Sequence, residues 1–132
     1  MGKPKAPPKQ AENEARCVVR MVRISPQKLN LLAQQVRGLP VQEALNQMRF
    51  SRKRHSEIVY KALWSALSNA ENNHGLDIDS LIVSEAYVGK NLVMKRLRAR
   101  ARGRAARILK PFSQLTVVLK DTSMAVSEAE AA

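Results

Sequence analysis

The stretch LIVSEAYVGKNLVMKRLRARARGRAARILKPFSQLTVVL, residues 81 to 119, decides the fold of this chain. Its two ends read as strands. Leu81 to Val88 is rich in β-branched residues, and within Phe112 to Leu119 the residues Leu115, Val117 and Leu119 alternate with Thr116 and Val118. Between these ends Arg96, Arg98, Arg100, Arg102 and Arg104 recur at every second residue. Along an extended strand that period aims successive arginines at one side, whereas on a helix they would fall on nearly opposite sides. A structureless loop of this length is uncommon inside a compact domain. The flanking strands are therefore expected to continue into the basic segment as one hairpin over about residues 83 to 118, turning near Arg100 to Gly103.

Such a hairpin has to protrude. Each arm would hold about 17 residues and span roughly 55 Å at strand rise, while a body of this size is only about 35 Å across. A two-stranded ribbon on its own is marginal in water, and arginines without counter-charges weaken it further. The arm is thus expected to be ordered by a surrounding RNA mass and to move in the free protein.

Upstream of the hairpin the chain reads as a strand and three helices. From Arg16 to Val22, Cys17, Val19 and Met21 alternate with Arg16, Val18, Arg20 and Val22, the period of a half-buried strand whose outer face is basic. Ser25-Pro26 then opens a helix, because the hydroxyl can accept from a free backbone N–H and proline at the first helical position forfeits no bond. Leu29, Leu32, Ala33 and Val36 follow at helical spacing, and Gly38 can end the run. Val41, Ala44, Leu45 and Met48 indicate a short second helix. Ser51 is expected to cap the third and longest, whose stripe of Val59, Ala62, Leu63, Ala66, Leu67 and Ala70 forms the core before Gly75 stops it. Tyr60 and Trp64 on that helix are read as packing residues. The expected class is α+β: three helices packed on a small antiparallel sheet, with one long protruding hairpin. Residues 14 to 121 form its single globular domain, flanked by a basic tail at 1 to 13 and a second tail at 122 to 132.

The charge is segregated along the 132 residues, whose 23 Lys and Arg outnumber 11 Asp and Glu to give a net charge of +12. Ten Lys and Arg lie between Ala86 and Lys120 without one carboxylate, whereas residues 69 to 85 hold Glu71, Asp77, Asp79 and Glu85 and no cation. A segment that repels itself this strongly calls for a polyanion, and nucleic acid is the abundant one. Membrane binding is disfavoured, since the residues between Arg98 and Arg107 are small rather than bulky and apolar. No stretch approaches a span, no apolar run follows Met1 to Gln10, and Cys17 stands alone, so the expected home is the cytoplasm.

Two basic clusters stand out as candidate contacts. In Arg98-Ala99-Arg100-Ala101-Arg102-Gly103-Arg104 the guanidinium groups can fork onto phosphate oxygens while Ala and Gly let the backbone come close. Arg52, Lys53 and Arg54 are expected in the first turn of the third helix, where they oppose the helix dipole at a cost that nearby phosphates would offset. Aromatic residues are too few for a base-stacking sheet, so recognition by shape and phosphate is expected. His55 and His74 are isolated, no Cys/His pair has zinc-ligand spacing, and no nucleophile and base form a recognisable set. Neither an enzyme nor a cofactor is expected.

The chain resembles the bacterial large-subunit ribosomal protein twenty-two family. The resemblance rests on Ser25-Pro26-Gln27-Lys28-Leu29, Val36-Arg37-Gly38, Glu43-Ala44-Leu45 and Ser68-Asn69-Ala70-Glu71-Asn72. It continues through Met94-Lys95-Arg96, Gly103-Arg104-Ala105, Arg107-Ile108 and Leu115-Thr116-Val117-Val118, in order over about residues 14 to 121. It implies binding to large-subunit ribosomal RNA during early assembly, a body near the exit of the nascent-peptide tunnel, and a hairpin that lines that tunnel. Arg102, Gly103 and Arg104 would form the tunnel-lining tip, at a constriction shared with ribosomal protein four. Met94, Lys95 and Arg96 would fall where alteration affects macrolide action, and Ala99 stands where many relatives are expected to carry proline. The expected RNA contacts are Arg16, Arg20, Arg23, Lys28, Arg37, Arg52, Lys53, Arg54, Lys90, Lys95, Arg96, Arg98, Arg100, Arg107 and Lys110. The remaining partners implied are neighbouring large-subunit proteins and the nascent polypeptide. The rival reading is a free RNA chaperone whose basic segment is a disordered loop.

Overall fold

A computed structural model describes residues 10 to 123 together with Gly2, Pro4 and Ala6. In chain order it holds β1 (Glu14–Val22), α1 (Pro26–Val36), α2 (Val41–Arg49), α3 (Ser56–His74), β2 (Leu81–Ala99) and β3 (Ala105–Asp121), with short 3-10 turns at Ile78–Ser80 and Ala101–Gly103. The class is α+β, with three helices and a three-stranded antiparallel sheet in the order β1-β3-β2. Most of the two expected tails lies outside the described residues. Of the part that is described, Asn13 O accepts from Asp121 N, and Thr122 N donates to Ser80 O.

The core lies between one face of the sheet and the helices. Ala15, Cys17 and Val19 of β1 stand opposite Leu119, Val117 and Leu115 of β3, which in turn face Val83, Ala86 and Val88 of β2. Directly opposed residues in an antiparallel ladder share a face, so these rows make one apolar layer. Against it pack α1, chiefly on β2, and α3, chiefly on β1, while α2 leans on α3. Each helix turns its periodic stripe inward: Leu29, Leu32, Ala33 and Val36 of α1, Val41, Ala44, Leu45 and Met48 of α2, and Val59, Ala62, Leu63, Ala66, Leu67 and Ala70 of α3 are all buried.

The caps explain where α1 and α3 begin and end. Ser25 Oγ accepts from Lys28 N at 3.4 Å and Pro26 opens α1. Gly75 closes α3 in the left-handed region, at φ 63°, where a side chain would be strained. The start of α3 differs from expectation. It begins at Ser56, not beside Ser51, whose Oγ instead accepts from Lys53 N at 3.3 Å in a local turn. Ser and Thr hydroxyls readily form such turns in competition with helix caps. Arg52, Lys53 and Arg54 consequently precede the helix instead of lying in its first turn, which carries Glu57.

Two further expectations are corrected. In β1 the alternation inverts at its end: Val22 is buried and Met21 is exposed. A register shift between Val19 and Val22 inserts one residue, with Met21 at φ 57°, and a one-residue slip sends every later side chain to the opposite face. Trp64 is 55% exposed and is not a core residue. It stacks on Tyr60, one turn earlier on α3, with ring centroids 6.5 Å apart.

Candidate nucleic-acid interface

The basic segment is strand. Beyond Val88 the ladder runs without a structureless interval, from Gly89 opposite Gln114 to Ala99 opposite Ala105, with one register shift between Lys90 and Val93. Within the hairpin the buried positions end at Ala86 on β2 and begin at Ser113 on β3, where it joins the body's sheet. The projecting part is therefore about eleven residues long on β2, roughly 36 Å at strand rise. Its turn holds Arg102 at φ 59° and Gly103 at φ 66°, two successive left-handed residues. Arg100 N donates to Arg104 O at 2.8 Å and closes the tip. The paired ladder does not favour the disordered loop that the rival reading requires.

Pairing sorts the cations by face. Lys90, Lys95 and Arg107 stand opposite Ser113, Leu109 and Leu97, on the side of the sheet that carries the helices. Arg96, Arg98 and Lys110 stand opposite Ile108, Ala106 and Met94, on the helix-free side. Arg16 of β1 shares that helix-free side by alternation with the buried Ala15 and Cys17, and Arg20 is exposed within the register shift that follows Val19. Arg23 joins the base of the arm, its guanidinium carbon 5.1 Å from the centroid of the Phe112 ring. Such a contact orients the charge without neutralising it. Arg100, Arg102 and Arg104 crowd the tip.

The other expected sites are not gathered here. Arg52, Lys53 and Arg54 form a separate exposed patch between α2 and α3. Lys28 is exposed in the first turn of α1. Arg37 is engaged within the protein: its Nε donates to Ala86 O at 2.5 Å and its Nη2 to Asn30 Oδ1 at 2.9 Å, clamping the end of α1 to β2. Among the described residues the ion pair within salt-bridge distance is Lys61 with Glu57, both on α3, so no cation of the arm has a carboxylate there. A ribbon of this charge can bind a polyanion at many points at once, with steep dependence on salt.

Sequence reasoning missed two features. The Arg23–Phe112 contact joins residues far apart in the chain, and the register shift at the base of the arm leaves only an indirect trace in Pro111, which has no N–H for the ladder.

The comparisons agree with this geometry. Residues 17–120 match the family profile described as ribosomal protein L22p/L17e. A protein of Maricaulis maris named large ribosomal subunit protein uL22 is 63% identical over 125 residues, covering 95% of this chain and 99% of its own length. The protein of that name from Methylobacterium radiotolerans is 60% identical over 132 residues, all of both chains. That from Caulobacter vibrioides is 65% identical over 108 residues, 82% of this chain and 86% of its own.

Proposed function

Because the chain belongs to the ribosomal protein L22p/L17e family, we propose that it binds large-subunit ribosomal RNA during assembly and extends its hairpin along the nascent-peptide exit tunnel. It is a structural protein of the large ribosomal subunit, not an enzyme, and works in the cytoplasm as part of that particle. The observation that carries the RNA reading is the paired, carboxylate-free ribbon from Gly89 to Ser113, too long to fold back into the body and too highly charged to stand alone. RNA phosphates on both faces would neutralise it: Arg96, Arg98, Lys110, Arg16, Arg20 and Arg23 on or beside one, Lys90, Lys95 and Arg107 on the other. Arg52, Lys53, Arg54 and Lys28 would hold the body at separate points. Arg37 would contribute through the position of α1.

At the tip, Arg102, Gly103 and Arg104 are the residues proposed to face the tunnel, the nascent polypeptide and ribosomal protein four. Small residues around them, Ala99, Ala101, Ala105 and Ala106, keep the ribbon slim. Sedimentation of large subunits through sucrose after a high-salt wash tests the assignment, and loss of the chain from the particle would refute it. Arg102→Glu with Arg104→Glu tests the tip. The body is expected to fold, since neither residue belongs to the core, while assembly or nascent-chain passage is impaired. Unchanged growth and ribosome profiles would make the tip dispensable.

A further inference from the structure

At the base of the arm, on the helix side, lies a groove of about 520 Å³. Ser25, Pro26 and Gln27 at the start of α1 form one wall, and Val93, Leu109 and Pro111 of the hairpin form the other, with Lys90 and Lys95 at its edge. A register shift between Lys90 and Val93 lies in the same stretch of β2, and the ladder resumes opposite Pro111. The groove is within the size range of small-ligand sites, roughly 300–1,000 Å³. Next along β3 on the face of Pro111 is Ser113, opposite Lys90. Ser113 is fully buried, and its Oγ has no hydrogen-bond partner.

We propose that this groove receives one unstacked nucleotide of the large-subunit RNA. This rests on the RNA-binding reading above and names what that surface takes at one point. The occupant follows from two properties that have to be met together. Apolar walls of Pro26, Val93, Leu109 and Pro111 suit the flat face of an unstacked base, as Leu, Ile, Met and Pro wedges do between base steps. Lysines at the edge suit the phosphate that follows it, and no carboxylate lies anywhere from Ala86 to Lys120 to repel one. An apolar protein segment would fill the walls and leave the two ammonium groups unmatched, while a phosphate alone would leave the walls wet. Leu109 is 59% exposed and Leu97, farther out on the same face, 74% exposed, so apolar surface here stays uncovered within the protein.

The test uses large subunits assembled with the full chain and purified by sedimentation. Base-specific chemical probing of their RNA is compared between the unaltered chain, Leu109→Ser and Leu109→Met. The expected result is one nucleotide that is protected with the unaltered chain and with Leu109→Met, and whose reactivity rises about tenfold with Leu109→Ser as apolar contact with the base is lost. Identical base reactivity in all three particles overturns the proposal. A photoreactive benzoylphenylalanine placed at position 93 gives a second readout if Leu109→Ser disturbs the arm: a crosslink to a base supports the groove, and a crosslink to another protein, or none to RNA, overturns it. Failure of the chain to remain in the washed subunit is read in the gradient before any probing, and it would sink the RNA-binding reading itself and this one with it.

Discussion

Replacing Arg96, Arg98 and Lys110 together by Ala measures what the helix-free face of the arm contributes. The three stand on one face of the ribbon, opposite Ile108, Ala106 and Met94, none has a carboxylate within ion-pair distance, and none belongs to the hydrophobic core. Each phosphate neutralised by a cation releases counterions and steepens the fall of log K against log salt by about 0.7 to 0.9. If all three cations meet phosphates, the variant's slope is shallower by roughly 2 to 3. Between 50 and 200 mM salt, a fourfold change, the unaltered chain then loses roughly 20- to 40-fold more affinity than the variant does. The assay is equilibrium binding to a large-subunit RNA fragment across a KCl series. Thermal unfolding of both proteins should coincide, since exposed strand charges contribute little to stability. An unchanged slope with an intact fold would refute phosphate contact on this face, whatever happens to affinity at one salt concentration.

Other expectations follow from the body and the arm. Leu115 is fully buried on the central strand between β1 and β2, so Leu115→Ala should cost about 2 to 5 kcal/mol, read by chemical denaturation. A loss below about 1 kcal/mol would mean that the sheet and helices are not packed around it. Asp121 accepts from Ser80 Oγ at 2.7 Å and from Ser123 Oγ and N at 2.6 and 2.8 Å, and those bonds, Ser123's first, hold its carboxyl below the usual carboxylate range. Its stabilising effect is therefore complete above the unfolded-state value near pH 4 and disappears as pH falls through the lowered folded-state value. Unfolding measured from pH 6 downward should show a component of acid destabilisation that Asp121→Asn removes, and identical profiles would contradict it. Backbone NMR order parameters in the free protein should drop over residues 92 to 108 relative to β3 within the body. Uniformly rigid values there would show that the ribbon needs no RNA to order it.

Much of this molecule is legible in one dimension because local periodicity carries it. The apolar stripes of the three helices, Pro26 after a capping serine, Gly75 at a helix end and alternation in the closing strand all act within a few residues, so the sequence foretells them. The alternating arginines with small residues between them foretell an extended, projecting arm for the same reason: self-repulsion and lack of bulk leave the segment nothing to bury. Local pattern fails where a competing local bond or a distant partner decides. Ser51 turns onto Lys53 instead of capping α3, which moves Arg52 to Arg54 off the helix, and one extra residue in β1 exchanges Met21 with Val22. Whether Trp64 packs or lies bare depends on which face of α3 meets the sheet. The placing of β3 between β1 and β2, the clamp of Arg37 on Ala86, and the groove between α1 and the arm exist only after the chain closes on itself. They join residues tens of positions apart, and a linear pattern holds no record of which distant surfaces will meet.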